Sequence, residues 1–129
     1  MTVHRLAEAA DLLGVSDDTL RRWQQQGRFS PVEIDGRAGI DGLELARLAV
    51  EHADAPERGP VHTSARNRLR GIVTRVTSDA VMAQVELVCG PYRVVSLVSA
   101  EAVADLGLEP GVVAHATVKS TNVSLEVDS

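Results

Sequence analysis

Two short runs hold the residues best able to do chemistry. Thr63-Ser64-Ala65-Arg66-Asn67-Arg68-Leu69-Arg70-Gly71 interleaves hydroxyls with cations, and Val118-Lys119-Ser120-Thr121 sets one lysine beside two hydroxyls. Neither run contains a carboxylate. Donors and positive charge without a competing acceptor suit a dianionic tetrahedral oxyanion, because charge-assisted hydrogen bonds are the strong ones. Strand parity sharpens this. Val112, Ala114, Ala116 and Val118 share one small apolar face, and Val113, His115, Thr117 and Lys119 share the other. Lys119 should therefore point out of its own fold, towards solvent or a neighbouring subunit. Ser99 opens a helical pattern, whose first amides also favour anions.

These runs resemble the molbindin family, the Mop or TOBE domains that bind molybdate, which open on Ser-Ala-Arg-Asn and close on Ile/Val-Lys-Ser/Ala. The likeness extends over the whole C-terminal segment and includes Leu106-Gly107-Leu108-Glu109-Pro110-Gly111. It implies oxyanion ligands at Ser64, Arg66, Ser99, Lys119 and Ser120. It also implies molybdate or tungstate as bound ligand with no catalytic cofactor, and sites between subunits, in dimers or in trimers of dimers. Taken singly the same residues have plainer roles. Ser64 and Ser99 can cap local structure, Lys119 can be a solvated lysine, and Arg66, Arg68 and Arg70 can be an exposed strand start.

The elements that must position them are short strands. Leu69 to Thr77, Val81 to Val88, Tyr92 to Val98, Val112 to Lys119 and Val123 to Val127 read as five strands, with turns at Cys89-Gly90-Pro91 and Glu109-Pro110-Gly111. A capped helix runs from Ser99 to Gly107, between the third strand and the fourth. Five short strands and one helix suit an OB-like β-barrel.

The N-terminal segment has a different period. Leu6, Ala9, Ala10 and Leu13 make one apolar helical stripe, ended by Gly14. Ser16 is a good N-cap for a second helix, Asp17 and Asp18 suit its first turn, and Leu20 and Trp23 form its inward face. Val15 can plug the corner between the two. A third helix starting near Asp41 carries Leu43, Leu45, Leu48 and Ala49, and Phe29 to Ile40 reads as a hairpin-like wing. The run from Leu6 to Trp23 resembles the winged helix-turn-helix of the MerR and excisionase families, with a wing whose only cation is Arg37. That resemblance implies binding to double-stranded DNA, with the second helix in the major groove. Thr19, Arg21, Arg22, Gln25, Arg28 and Arg37 are the expected contacts. Charge half agrees. Residues 1–54 hold six arginines against ten acids, a formal −4, yet Thr19 to Val32 contains no acid. The plainer reading of that stretch is a solvated basic helix face.

The expected fold class is therefore α+β in two domains: a mostly α winged helix-turn-helix at 1–54, a linker at 55–62 and an oxyanion-binding barrel at 63–129. The linker assignment rests on Ala53-Asp54-Ala55-Pro56-Glu57-Arg58-Gly59-Pro60. Hydrophobic residues make up 44% of the 129 and charged residues 24%, which is globular composition rather than disorder. The first residues lead into a charged helix pattern rather than a signal peptide, and a single cysteine, Cys89, rules out an internal disulfide, so a cytoplasmic protein is expected. No apolar run is long enough for a membrane span. His4, His52, His62 and His115 lack metal-ligand spacing. No nucleophile elbow, phosphate loop or catalytic carboxylate pair occurs, so a non-enzyme is expected. The combined reading is a homo-oligomeric, molybdate- or tungstate-responsive DNA-binding regulator. A molybdate storage or buffering protein, with the helix-turn-helix used for assembly, is the alternative, and an architectural DNA protein whose barrel serves only oligomerisation is a third.

Overall fold

The computed structural model describes residues 2–53 and 62–128. The chain divides into two compact units, Met1–Ala55 and Pro56–Ser129. All of the expected linker except His62 lies outside the described residues.

The first unit runs β1 (Val3–Arg5), α1 (Leu6–Leu13), α2 (Asp17–Gln25), β2 (Val32–Ile34), β3 (Arg37–Asp41) and α3 (Gly42–His52). Gly14 caps α1 and a three-residue corner leads to Ser16, whose Oγ accepts from the Thr19 amide at 3.1 Å. Asp35 and Gly36 both have positive φ, 50° and 76°, and form a two-residue turn between β2 and β3. Positive φ at both positions matches the twist of a tight hairpin, and Asp-Gly is a favoured pair there. The three strands form an antiparallel sheet in the order β1-β3-β2. Strand β1 corrects the expectation that the chain start leads directly into helix: Val3, His4 and Arg5 pair with Asp41, Ile40 and Gly39.

The core of this unit is closed. Ala9, Ala10, Leu13, Leu20, Trp23, Phe29, Ile40, Leu45 and Leu48 are buried together, with Leu6 and Val15 packed against them. Each fully buried large side chain contributes roughly 1.5–3 kcal/mol of transfer free energy. Of the four residues expected to lie on α3, Leu43 and Ala49 are exposed. Helix α3 turns only Leu45 and Leu48 fully inward.

The second unit runs β4 (Asn67–Ser78), β5 (Met82–Cys89), β6 (Tyr92–Ser99), α4 (Ala100–Leu106) and β7 (Val113–Val118), with a 3-10 turn at Ser120–Asn122. The strands make one curled antiparallel sheet, ordered β6-β5-β4-β7. Strand β4 is long enough to pair with β7 along its first half and with β5 along its second. A bulge at Thr74 lets both halves keep their apolar side on the core: Val73 faces Leu87 and Val76 faces Val85. Gly71 lets the strands close up, since a Cβ there would sit 2.5 Å from Cys89 Sγ and 2.6 Å from the Val88 carbonyl. The buried centre is Val73, Val85, Leu87 and Cys89, with Val76, Val94, Val98, Val103, Leu108 and Ala114 packed against it.

The expected fifth strand is not formed. Residues Val123 to Val127 carry the alternating pattern but pair with no strand among the described residues, and Leu125 and Val127 are 92% and 93% exposed. Alternation makes the segment extended, yet a strand also needs an edge to bond to. Among the described residues of one chain this sheet has four strands.

Candidate functional site

Four of the five expected oxyanion ligands come together at one end of the β4–β7 pair. Asn67 pairs with Val118 as the last rung of that ladder. Arg66 precedes Asn67 and Lys119 follows Val118, so the two cations flank the same rung. Ser64 lies two residues before Arg66, and Ser120 opens the 3-10 turn directly after Lys119. All four are exposed.

Backbone and side-chain bonds fix this end. Asn67 Nδ2 donates to the Val118 carbonyl at 3.0 Å, adding a side-chain rung where the ladder ends. Thr63 Oγ1 accepts from the Ala65 amide at 3.1 Å and bends the chain beside Ser64. The Asn122 amide donates to the Lys119 carbonyl at 2.9 Å and closes the turn that carries Ser120. Asn67 is the residue that the sequence reading passed over. Its only signal was its place in the Ser-Ala-Arg-Asn run.

Strand β7 alternates as its sequence implies. Ala114, Ala116 and Val118 are half-buried, while Val113, His115 and Thr117 are exposed. Lys119 continues the exposed set. Two like cations at one rung repel each other in the absence of an anion, and a dianion between them relieves that repulsion.

Ser99 does not join the four. It pairs with Met82 at the end of β6, and β5 meets β4 there through Ala83 and Ser78. Asn67 and Ser78 are the two ends of β4, about 35 Å apart along a fully extended strand. Ser99 Oγ caps α4 by accepting from the Ala102 amide at 3.0 Å. Its hydroxyl proton is still able to donate.

The first unit presents its own candidates. Arg21, Arg22 and Gln25 are exposed on α2, opposite the buried Leu20 and Trp23. Arg37 is exposed next to the hairpin turn. Thr19 is half-buried and held by Ser16, with the two hydroxyl oxygens 2.9 Å apart. Arg28 departs from expectation. Its guanidinium stacks 4.1 Å over the Trp23 ring and pairs with Glu51 at 3.3 Å. Arg47 binds the same Glu51 at 2.9 Å and the Arg28 carbonyl at 2.6 Å. Hydrogen bonds from Arg28 and then Arg47 hold the Glu51 carboxyl below its ordinary range. Arg28 is thus committed within its own unit. Among the described residues no group of histidine, cysteine and acidic side chains could hold a metal.

The second unit is thus a curled four-stranded sheet with Ser64, Arg66, Lys119 and Ser120 beyond one end of its β4–β7 pair. Residues 63–125 match the TOBE domain family. Molybdenum-pterin-binding protein 3 of Clostridium pasteurianum is 40% identical over 63 residues, which are 48% of this chain and 93% of that protein. MopA of Rhodobacter capsulatus, also named a molybdenum-pterin-binding protein, is 39% identical over 106 residues, covering 70% of this chain and 40% of its own length. A crystal structure of the cytoplasmic molybdate-binding protein ModG, with molybdate bound, superposes with a TM-score of 0.51 and 43% identity over 54% of this chain and 50% of that one. The chain belongs to the TOBE family. These relatives are named as molybdenum-pterin-binding or molybdate-binding proteins. No helix of the described residues is long and apolar enough to cross a membrane.

Proposed function

We propose that the second unit binds molybdate or tungstate at a seam between two copies of the chain, and that the first unit carries the occupancy of that site to double-stranded DNA. The gathering of Ser64, Arg66, Lys119 and Ser120 at one rung is the observation that carries the oxyanion reading. Relatives named for molybdate and molybdenum-pterin binding support the choice of ligand.

The seam follows from what a single chain leaves unfinished. Ser99 lies at the far end of β4 from the other four, so one anion can meet all five only if Ser99 comes from a second copy. The unpaired segment Val123 to Val127 points the same way. Val123, Leu125 and Val127 on one side and Ser124, Glu126 and Asp128 on the other form a strand in search of an edge. Pairing it with a second copy supplies the fifth strand and makes the protein at least a dimer.

For DNA, the supporting features are the two-helix corner, the hairpin after it, and Arg21, Arg22 and Gln25 together on the exposed face of α2. With Arg28 committed to Trp23 and Glu51, each copy offers few phosphate contacts. Binding should therefore depend on an assembly that presents several copies. The storage reading draws on the formal −4 of residues 1–54 and on relatives that consist of little more than the TOBE segment.

A gel shift with promoter fragments, with and without molybdate, separates the two. A regulator shifts DNA, shifts it differently when molybdate is present, and loses the shift in the Arg21→Ala/Arg22→Ala protein while keeping its oxyanion affinity. A protein that binds molybdate but no DNA at low salt is a store.

A further inference from the structure

The exposed side of the β4–β7 pair carries more positive charge than one small anion needs. On that side Arg68 lies opposite Thr117, Arg70 opposite His115 and Ile72 opposite Val113. Arg66 and Lys119 extend the same side by one more row beyond the Asn67–Val118 rung. The result is three rows that each carry positive charge, Arg66 with Lys119, then Arg68, then Arg70 with the His115 ring beside it, ending where Ile72 and Val113 turn the surface apolar.

The charge of the unit is sorted in space although its net sign is slightly negative. Residues 62–128 contain six arginines and lysines against seven acids, yet no acid occurs from Thr63 to Ser78 or from Val112 to Ser124. The two cations off the track, Arg75 and Arg93, are both matched to Glu86. Arg75 sits directly across from it and Arg93 forms an ion pair with it. Arg66, Arg70 and Lys119 are exposed along the track, and Arg68 is half-buried between them with contacts of its own. Arg70 and His115 are exposed, and neither is among the ligands of the rung.

We propose that Arg70, with Arg68 and His115 beside it, forms a cationic track that steers oxyanions along the sheet surface to the Arg66–Lys119 rung. This rests on the oxyanion site proposed above and adds how the ligand reaches it. Rows on one face of a strand are about 6.8 Å apart, so Arg70 lies about 14 Å from the rung. That is too far to touch a bound anion but close enough to shape its approach. The screening length is about 10 Å at 0.1 M salt and about 30 Å at 0.01 M. The track must then act on the association rate, strongly at low ionic strength and weakly at high. One-signed surfaces raise association rates in this way. The dissociation rate, set by direct contacts, stays the same.

The test is rapid-mixing kinetics of molybdate association to the full chain across a salt series. Arg70→Gln should lower the association rate about three- to tenfold at about 0.01 M ionic strength, and the difference should vanish near 1 M. Arg70→Glu should lower it further, Arg70→Lys should restore it, and none should change the dissociation rate. Equal rates for Arg70→Gln and the unaltered protein at low salt overturn the track. So does a loss that Arg70→Lys fails to rescue, which marks Arg70 as a packing residue. Undiminished molybdate kinetics with a loss of DNA affinity reassign the surface to a phosphodiester backbone and also overturn it. No oxyanion binding by the unaltered protein removes the site itself, and is distinguishable from binding at an Arg70-independent rate.

Discussion

The two units solve the problem of burial in opposite ways. The first closes a core around Leu20, Ile40 and Leu48, with Trp23 and Phe29 as its aromatic fill. The second buries Val73, Val85, Leu87 and Cys89 at its centre and Ala83 beside them, aided by half-buried neighbours. It leaves Leu97 69% exposed and Leu125 almost fully so. Its outer face runs apolar across three strands where Val88, Ile72 and Val113 stand in one row. The first unit closes a core of nine buried residues, although Leu43 and Val50 on α3 stay exposed. The second has a smaller core, and in the function proposed above a second copy completes both its sheet and its site.

Removing residues 123–129 should therefore have the largest effect. Without the unpaired segment the protein should run as a monomer in light scattering, and oxyanion binding should disappear with the assembly. The thermal transition of the first unit should stay in place. A truncated chain that keeps both its oligomeric mass and its molybdate affinity would break the contrast between the units.

Two substitutions of similar size sharpen it. Lys119→Ala should weaken molybdate binding by roughly 2–5 kcal/mol if the lysine meets the dianion in a dry seam. Calorimetry should show this, with tungstate competing closely and sulfate poorly, because the smaller ion leaves donors unpaired. Leu48→Ala should cost the first unit roughly 2–5 kcal/mol through the cavity it opens. Denaturant unfolding followed by Trp23 fluorescence should report the loss while assembly mass stays unchanged.

Local signals were legible in the sequence and distant ones were not. Alternation along Val112 to Lys119 foretold which side chains turn inward, because parity is set by the strand itself. The Ser16 cap and the Gly14 corner were legible for the same reason. Strand β1 was not, since three residues carry no usable period and their pairing with β3 is non-local. Arg28 looked available because no acid is near it in sequence, whereas Glu51, its partner, is 23 residues away. The tail posed the same difficulty in another form: its period announces an extended strand and says nothing about whose edge it joins. The resemblance implied a site between subunits but not which ligand each copy supplies, and the fold places Ser99 at the opposite end of β4 from the other four.

The smallest expected effect concerns acid stability. Glu51 receives hydrogen bonds from Arg28 and Arg47, which hold its carboxyl below the ordinary range in the folded unit. A depressed carboxyl stabilises the fold once pH exceeds the unfolded value, and that contribution is lost as pH falls through the lower, folded value. The unit should thus lose stability on acidification below the usual glutamate range. Glu51 is solvent-exposed, so screening keeps the effect small. In the Glu51→Gln protein this part of the pH dependence should vanish. Arg28 should still stack on Trp23, leaving only hydrogen bonds of a neutral amide at the end of α3. The melting temperature against pH should then be flatter for the variant than for the unaltered protein between about pH 5 and 3, and the two should converge at the acid end. Parallel curves would mean that the ion pair adds nothing to the closed unit, and that its stability rests on the apolar core alone.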